Sequence, residues 1–183
     1  MSPLTQSYYS GASDAQIIYE TIGSYFDKIA NLHSTNSALV VRHQGVNWTY
    51  GELQARVDQL AMGLIHLGLE PGDRVGIWGP NSSEWVLVQL ATAKIGAIMV
   101  CINPAYRLYE LEYALNKVEC KVLITDVSFK TSDYLQMINI LAPELESSHP
   151  GQLEAEKLPH LTHMIRMGSD TTPGMYNLSL IHI

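Results

Sequence analysis

The sequence predicts an α/β fold, a largely parallel sheet with helices on both faces. Three observations point there: short, continuously apolar runs, helical periods between them, and a turn signal at most junctions. Residues 1–13 are polar and aromatic without periodicity. Ile18, Ile22, Tyr25, Phe26 and Ile29 then recur at helical spacing and predict a first amphipathic helix ending near Asn31. Ala38–Arg42 and Val46–Thr49 flank a Gln44-Gly45 turn and read as a short hairpin. A second helix starts sharply, because Thr49 and Glu52 have the spacing of a capping box, with Trp48 and Leu53 placed to staple across it. Leu53, Val57, Leu60, Leu64 and Leu67 share one face, and Gly68 supplies a left-handed stop before Pro71-Gly72.

Arg74–Trp78 is strand-like, and Gly79-Pro80-Asn81 breaks it before a helix over Ser82–Lys94 that is apolar nearly all round and therefore expected to be buried. Ala97–Ile102 is the next strand, Leu108–Asn116 a helix, Lys121–Thr125 a strand and Ser132–Leu141 a helix. The β-α-β-α-β-α order makes the three strands neighbours in a parallel sheet with right-handed crossovers. The stretch 143–159, rich in Pro, Glu and Ser, reads as a surface connection, and Leu161–Met167 offers one more strand.

Composition narrows the function classes. With 183 residues and 46% hydrophobic content the chain can bury a core of its own. Eleven Lys plus Arg against 18 Asp plus Glu give a net charge of -7, the wrong sign for tracking phosphates, so no nucleic-acid partner is expected. The longest apolar run, Ile95–Ile102, falls far short of the ~20 residues of a membrane span. The first basic residue is Lys28, so neither a secretory signal nor an Arg-rich transit peptide is legible. Cys101 and Cys120 lie in separate apolar runs and read as reduced core residues, neither a disulfide nor a zinc pair.

Four motifs stand in order. Thr49-Tyr50-Gly51-Glu52-Leu53 resembles the first core motif of the adenylate-forming (AMP-binding) superfamily, and Gly72-Asp73-Arg74-Val75 follows at the expected place. Ala93-Lys94-Ile95-Gly96-Ala97, continuing through Ile102-Asn103-Pro104-Ala105-Tyr106-Arg107 to Glu110-Leu111-Glu112-Tyr113, resembles the second core motif in its fatty-acid-activating form. Trp78-Gly79-Pro80-Asn81-Ser82 through Val122-Leu123-Ile124 is similar to the mitochondrial medium-chain acyl-CoA synthetases, with looser similarity from Thr21 to Gly174. The resemblance implies a ligase chemistry: a fatty-acid carboxylate attacks ATP with Mg2+ assistance, and coenzyme A then captures the acyl-adenylate. It also implies a mitochondrial setting and the N-terminal part of a large domain.

In that family the phosphates are held by a Gly, Ser and Thr-rich loop ending in Pro-Lys-Gly, with a glutamate, an aspartate and a mobile lysine downstream. No counterpart is found here. Gly168-Ser169-Asp170-Thr171-Thr172-Pro173-Gly174 has the composition of such a loop but lacks the lysine, and its acidic residue would repel an anion, so it reads as a solvated turn. Gly79–Ser83 could offer helix N–H groups to an anion with Asn81 as cap, but an ordinary strand-to-helix turn suffices. His160 and His163 lack accompanying ligands for a metal. Asp126 could hold a proton or a substrate hydroxyl, yet at a βα turn an acidic residue is more often a helix cap. Asn103-Pro104 reads as a conformational device. Glu110 and Glu112 read as a solvated helix face.

No residue is therefore assigned a catalytic, cofactor-binding or metal-ligating role. From Tyr176 to Ile183 the resemblance ceases. Residues 1–183 are thus expected to be a partial adenylation domain halted before the phosphate loop, with 176–183 a non-family tail. Such a fragment of a medium-chain fatty acid–CoA ligase is expected to be inactive alone, to bind ATP, Mg2+ and coenzyme A weakly if at all, and to expose apolar surface that the complete enzyme covers. The alternative is a non-catalytic α/β binding or interaction module.

Overall fold

The computed structural model describes Gly11, residues 17–179 and Ile181. Most of the leading stretch 1–13, and Leu180, His182 and Ile183 of the tail, lie outside the described residues.

Helix α1 (Ile22–Leu32) starts one turn later than its periodicity suggests. Thr21 is extended and its hydroxyl accepts the Ser24 amide, which fixes the first turn and leaves Ile18 outside. Strands β1 (Ser37–Val41) and β2 (Val46–Thr49) form the expected antiparallel hairpin around a 3-10 turn closed by left-handed Gly45. Helix α2 (Tyr50–His66) opens with the expected capping box: the Thr49 amide donates to Glu52 at 2.8 Å and the Glu52 amide donates back to the Thr49 hydroxyl at 3.3 Å. It ends before Gly68, whose φ of 80° is the left-handed stop the sequence supplies.

The central sheet contains β3 (Arg74–Trp78), β4 (Ile98–Ile102), β5 (Val122–Thr125), β8 (His163–Arg166) and β9 (Tyr176–Asn177) in the order β4-β3-β5-β8-β9. Every neighbouring pair is parallel, with Trp78 level with both Ile102 and Thr125, and Thr125 level with Arg166. Between the strands run α3 (Ser83–Ile95), α4 (Leu108–Lys117), a two-residue hairpin of β6 (Ser128–Phe129) and β7 (Ser132–Asp133), and α5 (Tyr134–Leu141). The last helix is shorter than the expected 132–141, because Ser132 and Asp133 pair with β6 and the Asp133 carboxylate caps the helix through the Gln136 amide at 2.9 Å.

Two apolar layers sandwich the sheet. Val75, Ile77, Val122, Ile124 and Ile165 face the α2 stripe of Leu53, Val57, Leu60 and Leu64, joined by Val88 and Ala91 of α3. Trp78, Leu123 and Met164 face Leu111 and Leu115 of α4 and Tyr134, Ile138 and Leu141 of α5. Each large side chain so buried contributes on the order of 1.5–3 kcal/mol before ordering costs. Lys94 of α3 binds both Asp27 of α1 and Asp58 of α2, tying the helices of the first layer together.

Several expectations are corrected by packing. Helix α3 is mostly half-buried, because only Ser83, Val88, Ala91 and Thr92 are covered where α1, α2 and the sheet meet. Strand β4 lies at the sheet edge, so Cys101 is exposed, while Cys120 is buried as expected and both thiols are free. The stretch 143–159 does more than connect: Leu145, Leu153, Ala155 and Leu158 are buried in the second layer. Both faces of the sheet centre are thereby covered within this chain. Exposed large apolar groups sit elsewhere, as Ile98, Tyr109 and Tyr113 along the β4 flank and Ile22 and Leu32 on α1.

Candidate functional site at the carboxyl ends of the parallel strands

An open parallel sheet binds ligands where its strand order reverses, at the carboxyl ends. Here the chain leaves β3 for β4 on one side and later returns to β5 on the other, so the reversal lies between Trp78 and Thr125. Gly79 and Asp126 meet there. The Asp126 amide donates to the Trp78 carbonyl at 3.0 Å, and a Cβ on Gly79 would stand 3.1 Å from that of Asp126. A side chain at position 79 would therefore crowd that of Asp126.

Asp126 does not cap a helix. Its carboxylate accepts the Val127 amide at 2.7 Å, and the capping role falls to Asp133. Beneath it the Trp78 indole stacks on Tyr134 with ring centroids 3.6 Å apart and donates to the Asn103 carbonyl at 3.1 Å. The Tyr134 hydroxyl donates to the Pro104 carbonyl at 2.5 Å, and burial, with the Asp126 charge nearby, pushes this phenol up to about 12. The Asn103 side chain accepts the Ala105 amide, so Asn103-Pro104 shapes the loop. This corner is a rigid aromatic support with its polar atoms already paired.

At the start of α3 the expected cap is absent. Asn81 is exposed, and Ser82 occupies the cap position without a side-chain bond. Gln44, from the distant β1–β2 turn, does the work instead: its carbonyl accepts the Ser83 amide at 2.7 Å and its amide donates to Glu84 at 2.8 Å. Burial tends to raise the Glu84 carboxyl, but the hydrogen bonds led by Gln44 outweigh it and hold the group below its usual value. Sequence spacing could not reveal Gln44, because the contact crosses 39 residues. A cavity of about 420 Å³ opens beside this cap, with Gln44, Trp48, Arg56, Ser83, Glu84 and Ser169 on its wall. The Arg56 guanidinium sits 4.5 Å from the Trp48 ring centre, a cation–π contact.

The Gly168–Gly174 turn is organised by a cation the sequence reading missed. Arg166, at the end of β8, is buried and donates to the Asp170 carboxylate at 2.8 Å and to the Thr172 hydroxyl at 3.3 Å. Gly168 and Gly174 have φ of 89° and 70°, and a Cβ on Gly174 would lie 2.2 Å from the Leu145 carbonyl. The loop's own Asp170 carboxylate thus pairs with the guanidinium. Arg166 carried a signal in principle, a charge inside an otherwise apolar strand.

The remaining candidates stay apart. His160 is exposed, while His163 contacts the Thr162 hydroxyl and stacks near Tyr176. Burial, helped by the Lys121 charge, lowers its pKa. No group of metal-ligating side chains is found among the described residues. Glu110 is more than a solvated residue, since it accepts the Arg107 amide at 3.1 Å and so caps α4. No helix among the described residues is long and apolar enough to cross a membrane.

This fold and these motifs have close relatives. Residues 26–173 match the family model described as AMP-binding enzyme. The rat (Rattus norvegicus) medium-chain acyl-CoA ligase ACSF2, mitochondrial, is 44% identical over 87% of this chain and 26% of its own length. Among solved structures, the fatty acyl CoA synthetase of Mycobacterium tuberculosis aligns with a TM-score of 0.65 and 26% identity over 80% of this chain and 26% of that one. Acetoacetyl-CoA synthetase from Streptomyces lividans shares the fold, with a TM-score of 0.74 and 24% identity over 88% of this chain and 25% of that one. The chain thus spans about a quarter of the length of the curated relatives it matches. With a family model covering most of its residues, on the parallel sheet and motifs described above, the chain belongs to the AMP-binding enzyme family.

Proposed function

We propose that this chain is the N-terminal portion of an ATP-dependent medium-chain fatty acid–CoA ligase of mitochondria, and that alone it does not run the reaction. The observation that carries the reading is the 44% identity to a mitochondrial medium-chain acyl-CoA ligase across most of this chain. In the complete ligase the substrates are a fatty acid, ATP with Mg2+, and coenzyme A. This portion contributes the supporting sheet. Residues 1–183 form one partial adenylation domain, with 143–159 a connection that also packs into the second apolar layer and 176–183 a tail outside the family pattern.

Inactivity follows from the residues at the strand ends. The Gly- and Thr-containing turn at 168–174 has its cation paired internally with Asp170, Asp126 accepts the neighbouring Val127 amide, and Glu84 accepts from Gln44. None of them is assigned a catalytic, cofactor-binding or metal-binding role. Electrostatic stabilisation of a transferring phosphoryl group needs cationic donors aimed at it, and these positions supply none.

The test is ATP–pyrophosphate exchange by the purified chain with octanoate and Mg2+. No exchange above a control without enzyme is expected, and measurable exchange sinks the reading of inactivity. Thioester formation with coenzyme A by a longer chain containing this sequence, compared across acids from butyrate to palmitate, tests the medium-chain assignment. A second reading, a non-catalytic binding module, is favoured by the coverage of both sheet faces within this chain.

A further inference from the structure

We infer that Tyr176–Ser179, together with Ile181, is an intramolecular strap that closes the β8 edge of the sheet and the adjoining flank of α2, so that this edge is unavailable for pairing with another chain. The strap lies outside the residues that match the family model, which end at 173. An open sheet edge presents unpaired N–H and C=O groups and templates further strands. Here β9 meets that need with the parallel pairs Ile165↔Tyr176 and Arg166↔Asn177, and the Leu178 amide donates to the Arg166 carbonyl at 2.9 Å. At two residues, β9 is too short to serve as a template in turn.

Side chains fasten the strap at successive points. The Tyr176 hydroxyl donates to the Pro150 carbonyl at 3.0 Å, and its ring lies nearly parallel to His163. The Asn177 amide donates to the Asp170 carbonyl at 3.0 Å, and Asn177 and Leu178 are both buried. Ile181 presses on α2 where the helix has no side chain: a Cβ on Gly63 would lie 2.6 Å from both the Cγ2 and the carbonyl oxygen of Ile181.

The return from β8 is short. Parallel strands are usually joined by a crossover of about a dozen residues or more, whereas Met167–Met175 spans less than that. Two left-handed glycines bend it, and Arg166 pins its middle through Asp170 and Thr172. The loop whose composition suggested a phosphate cradle is thus the hinge by which the strap is laid against β8.

The test is residue-resolved hydrogen exchange together with sedimentation velocity on the full chain, unaltered and as Gly63→Ala and Leu178→Asp. In the unaltered protein the Leu178 amide is expected to exchange about a hundredfold or more slower than an unstructured amide. Gly63→Ala adds one methyl to a helix that gains propensity from it, so α2 is not weakened, yet Ile181 must move. Both variants should cut Leu178 protection at least about tenfold, leave the β3 and β5 amides protected and produce concentration-dependent self-association beyond that of the unaltered chain. An unprotected Leu178 amide in the unaltered chain, full protection in Gly63→Ala, or release of the strap without self-association would each overturn the inference. If Leu178→Asp also loses protection in β3 and β5, the unaltered chain and Gly63→Ala decide the question.

Discussion

The two edges of the sheet are finished in opposite ways. On one side β4 is five residues long, carries no charge and no proline, and leaves Ile98 52% exposed and Cys101 open beside Tyr109 and Tyr113 of α4. On the other, three of the four residues of β8, Met164, Ile165 and Arg166, are buried, and the neighbouring β9 is a two-residue stub. The wholly apolar β4 is largely surface, while β8, which carries His163 and Arg166, is mostly core. What differs is whether later chain returns to cover the strand.

The comparison can be broken most directly by truncating one apolar side chain on each side. Ile165→Ala at the covered edge should cost about 2–5 kcal/mol, from lost transfer energy and the cavity left behind. Ile98→Ala at the open edge should stay within about 0.5 kcal/mol. Chemical denaturation of the two variants measures both, and equal losses would erase the distinction.

Next in size is the ion pair at the covered edge. Asp170 is 80% exposed but Arg166 is not, so Asp170→Ala leaves a buried guanidinium without its carboxylate. The expected cost is about 2 kcal/mol, read from the denaturation midpoint. A change near zero would mean that water replaces the carboxylate at no cost.

Acidity should act at the amino ends of the strands. Burial tends to raise the Asp73 carboxyl, but the ion pair with Lys121 and the Glu70 amide outweigh it and lower its pKa. A carboxyl lowered on folding contributes stability that is complete above its unfolded value, near 3.8, and is lost as pH falls through the lower folded value. Asp27 is lowered likewise, with burial outweighed by Lys94 and Gln54. Stability should therefore hold from pH 7 to about 5 as far as these groups are concerned and decline below pH 4. In Asp73→Asn the acid-side decline should be shallower.

The smallest effect on stability belongs to the open edge. Cys101→Lys places a charge on exposed β4 and should change stability by less than about 0.5 kcal/mol while reducing self-association at high concentration. Sedimentation velocity checks it, and unchanged association would show that the β4 flank is not the sticky side.

Much of this was legible because it is local. The Thr49–Glu52 capping box, the Gly68 stop, the α2 stripe and the strands β3, β4 and β5 depend on residues a few positions apart, and steric and hydrogen-bonding rules act at that range. The motif order likewise placed the chain in its family, since it is a linear property. At the candidate site, the sequence identified the turns at Gly79 and Gly168 but not what fills them. Gln44 reaches Ser83 across the fold, and Arg166 neutralises Asp170 only because β8 turns back so tightly.

The sequence by itself determined that strands and helices alternate, that the strands are apolar enough for a parallel sheet, and which superfamily the motifs resemble. Tertiary structure alone decided which apolar strand became an edge, why Cys101 is open while Cys120 is closed, and that buried residues of 143–159 and the β9 pair Tyr176–Asn177 cover the sheet. The physical reason is that burial belongs to a pair of surfaces. A strand's own residues fix its readiness to be covered, and only the path of the rest of the chain supplies the cover.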